Sequence, residues 1–305
     1  MPTTSRGPTA RSTPRLQAGA RAILELLRAC GGSLEARDLA VLLFLYGRTQ
    51  PEGDSPYDFT AGKEGPVSFT AEADLEKLVA RGLVRRDGGL HLTKEGRALL
   101  GRSHDATIQD FVEHHQDLRG DALLAEAFER DSFVALRATD AERLLEGAAL
   151  SRVKRARKEK DAPALSTIGY EGLSLERYLN VLLSHGVTLL CDVRANPNSR
   201  KFGFAKRALS HGCETVGIRY EHLPELGIAT EKRKGVHTRE DYDALFLKYE
   251  RDWLPKQSAA LDRIRSWIAE GERVALTCYE HDPRECHRRS VAKALAETGL
   301  EAVHL

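Results

Sequence analysis

Net charge, long apolar runs and an export signal are what this chain has least of. Its 46 Lys and Arg are balanced by 45 Asp and Glu, so the net charge is only +1 although 30% of the 305 residues are charged. The whole chain is therefore no electrostatic adhesive for nucleic acid, and any basic surface has to be local. No apolar run is long enough to cross a bilayer, so no membrane partner is expected. Residues 1–15 place Arg6, Arg11 and Arg15 among Pro, Ser and Thr. They lack the apolar core of a secretory signal and read as a disordered, mildly basic tail. The five cysteines are an odd number, and without an export signal they are expected as reduced thiols in the cytoplasm.

A chain of this length has room for two or more domains. Residues 16–103 read as the first. Ile23, Leu24, Leu26 and Leu27 recur at helical spacing before Gly31-Gly32. Ser33 then suits the N-cap of a helix over 34–46. A third helix is expected over 71–81, with Thr70 as its cap. Two short apolar runs, Leu83-Val84 and Leu90-His91-Leu92, flank Asp87-Gly88-Gly89 and read as a hairpin. Helices followed by such a hairpin resemble a winged helix. Tyr57-Asp58-Phe59 with the segment from Gly65 to Phe69 is also similar to winged-helix domains of bacterial stress and toxin systems. Winged helices often bind DNA through a helix in the major groove and a wing on the backbone. Here the candidate recognition helix begins with Glu72, Asp74 and Glu76, and the positive cluster is Arg81, Arg85 and Arg86 near the wing. DNA contact and a protein-interaction or scaffolding role both remain open.

Residues 104–163 read as a helical connector. Its His104, His114 and His115 are expected on solvated helix faces. Six cations fall within the nine residues 152–160, including Arg152, Lys154 and Arg155. They form either a solvated hinge or a strap on phosphates, whose binding would be strongly salt-dependent.

From residue 164 onward, strand and helix patterns alternate, which argues for parallel βαβ units. Apolar runs end at Gly169-Tyr170, at Asp192-Val193-Arg194 and at Cys278-Tyr279-Glu280. A further strand is expected over 218–223 and a last one over 301–305. The polar stretch 227–241 reads as a mobile loop over the site, and Trp253 and Trp267 as core. In a parallel sheet the three strand ends share one edge, where open α/β folds bind their ligands.

These motifs carry a resemblance. Thr167-Ile168-Gly169-Tyr170, Asp192-Val193-Arg194, Pro197 with Ser199-Arg200, Gly203-Phe204, the run from His222 to Gly227, and Cys278, Glu280, Pro283 and Cys286-His287-Arg288 occur in order. Residues 165–305 thereby resemble the bacterial family called domain of unknown function 488. The resemblance implies a Rossmann-like α/β domain with a polar pocket and supplies no reaction. The expected fold is a Rossmann-like parallel-sheet C-terminal domain over 164–305 behind an α-rich winged-helix domain.

Arg194, Arg200, Lys201, Lys206 and Arg288 converge in this arrangement. Arg288 falls in the first turn of a helix expected to start near Pro283, where free amides also favour anions. With Asn196 and Ser199 making the loop polar, a phosphate of a nucleotide or of nucleic acid, most naturally DNA, is the expected ligand. Glu280 and Asp192 can divide acid and base roles, as in glycoside cleavage, with Tyr170 beside them. N-glycosidic, base-releasing hydrolysis is the leading reaction class. Alternatively, Asp192 and Arg194 merely brace the loop. Cys286, near a helix N-terminus and beside His287 and Arg288, suggests a low-pKa nucleophile for sulfur or phosphoryl transfer. Cys278, His281, Cys286 and His287 lack the paired arms of a structural zinc site, so neither metal nor cofactor is expected. A nucleotide-sensing, DNA-binding regulator without turnover is the non-enzymatic alternative.

Overall fold

The computed structural model describes residues 16–102, 104–158, 164–236, 238–296 and 299–305. The expected tail at 1–15, the end of the basic stretch at 159–163 and His237 lie outside them. In the N-terminal half, α1 (Ala18–Ala29) is followed by β1 (Ser33–Leu34), α2 (Ala36–Thr49), β2 (Thr60–Gly62), β3 (Gly65–Val67) and α3 (Phe69–Ala80). Then come β4 (Val84–Arg86), β5 (Leu90–Leu92) and α4 (Lys94–Leu100). The hairpin β4–β5 is extended by β1, giving the order β1-β5-β4, and β2 pairs β3 in a separate hairpin. Ser33 therefore belongs to a strand rather than capping a helix: its residue pair is taken up by His91 and Leu90 across the sheet. Ser68, not Thr70, caps α3, accepting from the Ala71 amide at 3.2 Å.

The helices α5 (Ala106–His114), α6 (Gly120–Arg130), α7 (Ala141–Leu144) and α8 (Gly147–Lys158) are no loose connector. Ile108, Phe111, Leu123, Leu124, Phe128 and Val153 are buried in one apolar cluster with the side chains of α1 and α2. His115 is buried too, with Nδ1 2.8 Å from the Phe111 carbonyl, contrary to a solvated face. The basic stretch is helical through Lys158 and pinned on its inner side. Arg157 donates to the carbonyls of Leu136, Ala135 and Ala138, while Val153 is buried and Arg152, Lys154 and Arg155 face solvent. A hinge is thus excluded over these residues, because an intact helix keeps its dihedrals fixed by its own hydrogen bonds.

In the C-terminal half, β6 (Leu165–Gly169), β7 (Leu189–Asp192), β8 (Arg219–His222), β9 (Val274–Cys278) and β10 (Ala302–His304) form one all-parallel sheet in the order β10-β6-β9-β7-β8. The central strands are buried at every position, as parallel strands covered on both faces must be. One face carries α9 (Leu175–Ser184) and α10 (Lys206–Thr215), through Leu175, Tyr178, Leu179, Leu209 and Cys213. The other carries α11 (Arg239–Lys248), α12 (Ser258–Ala269) and α13 (Arg288–Ala296), through Leu245, Leu261, Ile264, Val291 and Leu295. Residues 227–241 are only partly a loop, since Ile228 is buried in that second face. Trp267 is core, whereas Trp253 is half-buried beneath the Lys232 ammonium, 3.8 Å from its ring centroid. No described helix is long and apolar enough to cross a membrane.

The two halves share a core. Ala61 and Phe69 pack in the α9/α10 cluster of the sheet. Glu176, in the first turn of α9, accepts from the Ser68 hydroxyl at 3.3 Å and from the Thr70 amide at 3.0 Å. Asp58 accepts from Ser174 and from Arg177, both at 2.9 Å. The buried Glu176 carboxylate thus sits against the N-termini of two helices, where unsatisfied amides favour an anion.

Gly169 is where this architecture tolerates no side chain. A Cβ there would lie 1.8 Å from the Glu280 carbonyl oxygen, because the chain leaving β9 crosses directly over the end of β6. Gly169→Ala should therefore lower stability by about 1–3 kcal/mol, as overpacking against fixed backbone does. Urea unfolding measures it, and an unchanged midpoint would mean that the crossing is not this close.

Candidate active site

Strand register places the motifs on one edge. Gly169 lies beside Cys278, and Asp192 beside both Thr277 and His222. β6 and β7 send their chains onto one face, to α9 and α10, whereas β9, between them, leads to α13 on the other. Such a reversal opens a crevice at the carboxyl ends of the strands.

At the floor of this edge lies a buried ion pair. Asp192 is 0% and Arg194 5% exposed. Arg194 donates from Nη2 to Asp192 Oδ2 at 2.5 Å and from Nε to Oδ1 at 2.8 Å, while its Nη1 reaches the Tyr170 hydroxyl and the Phe204 carbonyl. The Tyr220 hydroxyl donates to Asp192 Oδ2 at 2.6 Å. Tyr170 stacks on Phe204 with centroids 4.3 Å apart. Tyr220 was not anticipated as a site residue; its only sequence signal is its place in the strand before His222. Both oxygens of Asp192 are thus engaged, so it fits the bracing alternative, holding Arg194 rather than exchanging protons with a ligand.

Above this floor, Tyr279 packs edge-on to Tyr170 at 5.4 Å. Glu280 follows it, half-buried, close to the Cys278 and Cys286 thiols. Burial first, and then Cys278, raises its pKa above the usual carboxylate range. Cys286 is 2% exposed, and burial pushes its thiol well up, with the hydrogen bond to Cys278 adding to this. The expected low-pKa nucleophile is therefore corrected. The helix begins at Arg288 rather than near Pro283, and desolvation outweighs the one favourable charge of Arg288.

Arg288 is likewise not an open anion ligand. It is buried and donates to the backbone carbonyls of Glu280 at 2.5 Å and His281 at 2.8 Å, fixing the turn that carries Glu280. His287 Nε2 lies 3.0 Å from the Val193 carbonyl. Asn196 and Ser199 accept from the amides of Asn198 and Lys201, shaping their own loop. Exposed on the segment from β7 into α10 are Arg200, Lys206 and the large apolar Phe202, which is 55% exposed; Tyr279, after β9, is 45% exposed. Lys201 Nζ donates to the Tyr170 carbonyl at 2.8 Å. Lys206 Nζ donates to His222 Nδ1 at 3.2 Å, and His222 in turn donates from Nε2 to the Arg194 carbonyl.

Residues 174–295 match the family model described as domain of unknown function DUF488. The DUF488 match begins just after the Thr167–Tyr170 motif and contains the Asp192, Cys278–Glu280 and Cys286–Arg288 groups. No curated protein and no solved structure matches the chain.

The expected nucleic-acid residues lie elsewhere. Arg85 pairs with Asp87, Arg86 with Glu76 at 2.7 Å and Lys154 with Glu142 at 3.9 Å. Arg152 donates to the Glu129 carbonyl, and Arg81 and Arg155 are exposed.

Removing one member of the buried pair tests its role. Arg194→Met leaves the Asp192 charge uncompensated and should cost about 3–5 kcal/mol in urea unfolding. A loss below about 1 kcal/mol would show that water reaches Asp192 in the folded protein.

Proposed function

We propose that this protein is a hydrolase directed at nucleic acid or a nucleotide, releasing a base by N-glycosidic cleavage with Glu280 as the proton-transfer group. The observation that carries this reading is the half-buried Glu280 carboxyl at the carboxyl edge of the parallel sheet, next to the exposed Tyr279, with Arg200, Phe202 and Lys206 exposed on the segment that leads from β7 into α10. Exposed arginine and lysine attract phosphates, and exposed aromatic faces stack on bases whatever their sequence. The reaction then needs a proton at the leaving nitrogen. Glu280 donates it as the C1′–N bond breaks, and water adding to C1′ returns a proton to the carboxylate. Asp192 enters this scheme indirectly: locked to Arg194, it keeps Tyr170 and the loop from Val193 to Phe204 in place.

The N-terminal half supports a modified form of the DNA-contact idea. Its order of helices with the β1-β5-β4 sheet supports reading it as a winged helix. A recognition helix, however, offers its N-terminal residues to base edges, and that end of α3 is occupied by Glu176. Strand contact then falls to the exposed cations Arg81, Arg155, Arg200 and Lys206.

The test incubates the protein with single- and double-stranded DNA and RNA, including damaged and modified bases, and follows released bases by mass spectrometry. Glu280→Gln should lower base release by about 10²–10⁴-fold while leaving substrate binding within a few-fold. Full turnover by that variant would sink the assignment of Glu280, and binding without any released base would favour a sensor of nucleic acid.

A further inference from the structure

Behind Glu280 the fold assembles a donor set that spacing in the sequence did not disclose. Cys278 ends β9, while Cys286 and His287 sit on the turn entering α13. Their three donor atoms lie within 4.8 Å of one another, and the residues are 2%, 2% and 1% exposed. The tautomer of His287 follows from its surroundings. The Val193 carbonyl 3.0 Å from Nε2 only accepts, so Nε2 carries the proton and Nδ1 the lone pair. Nδ1 faces both sulfurs, at 3.9 Å from Cys278 Sγ and 4.0 Å from Cys286 Sγ.

We propose that Cys278, Cys286 and His287 bind one zinc-class divalent cation, as two thiolates and a neutral imidazole. Three arguments favour it. With Zn–S near 2.3 Å and Zn–N near 2.0–2.1 Å, tetrahedral geometry puts donors about 3.6–3.8 Å apart, so the nitrogen needs to close on each sulfur by only a few tenths of an ångström and the sulfurs on each other by about 1 Å at most. A backbone carbonyl holding the far ring nitrogen is the usual outer partner of a metal-bound histidine, orienting the ring and fixing its tautomer. Two soft sulfurs and an imidazole select zinc over the hard cations that prefer oxygen. Binding balances as two thiol protons released for each divalent ion taken up.

Glu280, two residues beyond Cys278, stands outside the group of three mutually close donors. The protein thus supplies three ligands, and the fourth position goes to water beside Glu280, the pattern of a catalytic rather than a closed structural site. Ion binding stands without the base-release reading; the use of that fourth position rests on it.

Protein purified without chelator, from cells grown with zinc, should carry about one zinc per chain by elemental analysis. After removal of zinc, titration with Co²⁺ should give thiolate-to-cobalt charge-transfer absorption and the intense visible bands of a tetrahedral site, saturating at one equivalent. Cys278→Ser and Cys286→Ser should each lose those bands, and Glu280→Gln should keep them. The cobalt titration of the unaltered protein decides the matter even if the serine variants fail to fold. Metal well below one equivalent with no charge-transfer band would overturn the site, as would a Cys278–Cys286 disulfide in metal-free protein isolated under argon. Loss of the ion from Glu280→Gln would overturn the open fourth position. Stoichiometric zinc without base release keeps the site and rejects the glycosidase reading; full base release by protein stripped of metal keeps the glycosidase reading and rejects a catalytic use of the fourth position.

Discussion

A carboxylate and a guanidinium two residues apart, both withdrawn from water, hold the carboxyl edge of this sheet in one shape. Each charge left alone there would cost several kcal/mol, so the geometry that pairs them is tightly constrained. Arg194 can reach Asp192 only if the chain turns back at the end of β7, which its own amide reinforces by donating to Asp192 Oδ1 at 3.1 Å. Between the two partners lies Val193, whose carbonyl receives His287. The ion pair, the histidine orientation and the position of the two thiols are therefore linked through three consecutive residues. Tyr170 and Tyr220 extend the same network to β6 and β8. A structural network of this kind preorganises the groups above it, which is what a site needs to act without reorganising.

The turn that carries Glu280 is held from below and behind. Gly169 lets it cross β6 at backbone contact, and Arg288 ties two of its carbonyls to the start of α13. Here a cation at a helix start is buried, and both its Nη atoms are turned to backbone carbonyls. The same economy recurs at Glu176, one carboxylate serving the starts of α9 and α3. That contact makes the N-terminal half part of the framework around the crevice, since α9 begins just beyond Tyr170.

Much of the fold was legible because its signals are local. The buried runs at 165–169, 189–192 and 274–278 read as strands from their apolar composition, and Gly, Ser and charged residues marked their ends. Errors came where a tertiary partner outbid a local preference. Ser33 had the chemistry of a cap but found a strand partner in β5, and Thr70 falls inside a helix that begins at Phe69 with Ser68 as its cap. The basic stretch after residue 151 looked like a hinge because its charge suggested solvent. Its buried side, Val153 with Arg157 under three carbonyls, becomes visible only when the segment between α6 and α7 is in place.

By itself the sequence determined the strand–helix alternation, and through it the single edge where Tyr170, Asp192, Arg194 and Glu280 emerge, since parallel strands must all end on one side. Only the tertiary structure decided what those groups do to one another. Pairing, burial and donor angles depend on what the rest of the fold packs around these groups, and no periodicity encodes that. Asp192 and Arg194 thus became a sealed pair, Cys286 a buried thiol rather than an exposed nucleophile, and Cys278, Cys286 and His287 a converging set of donors.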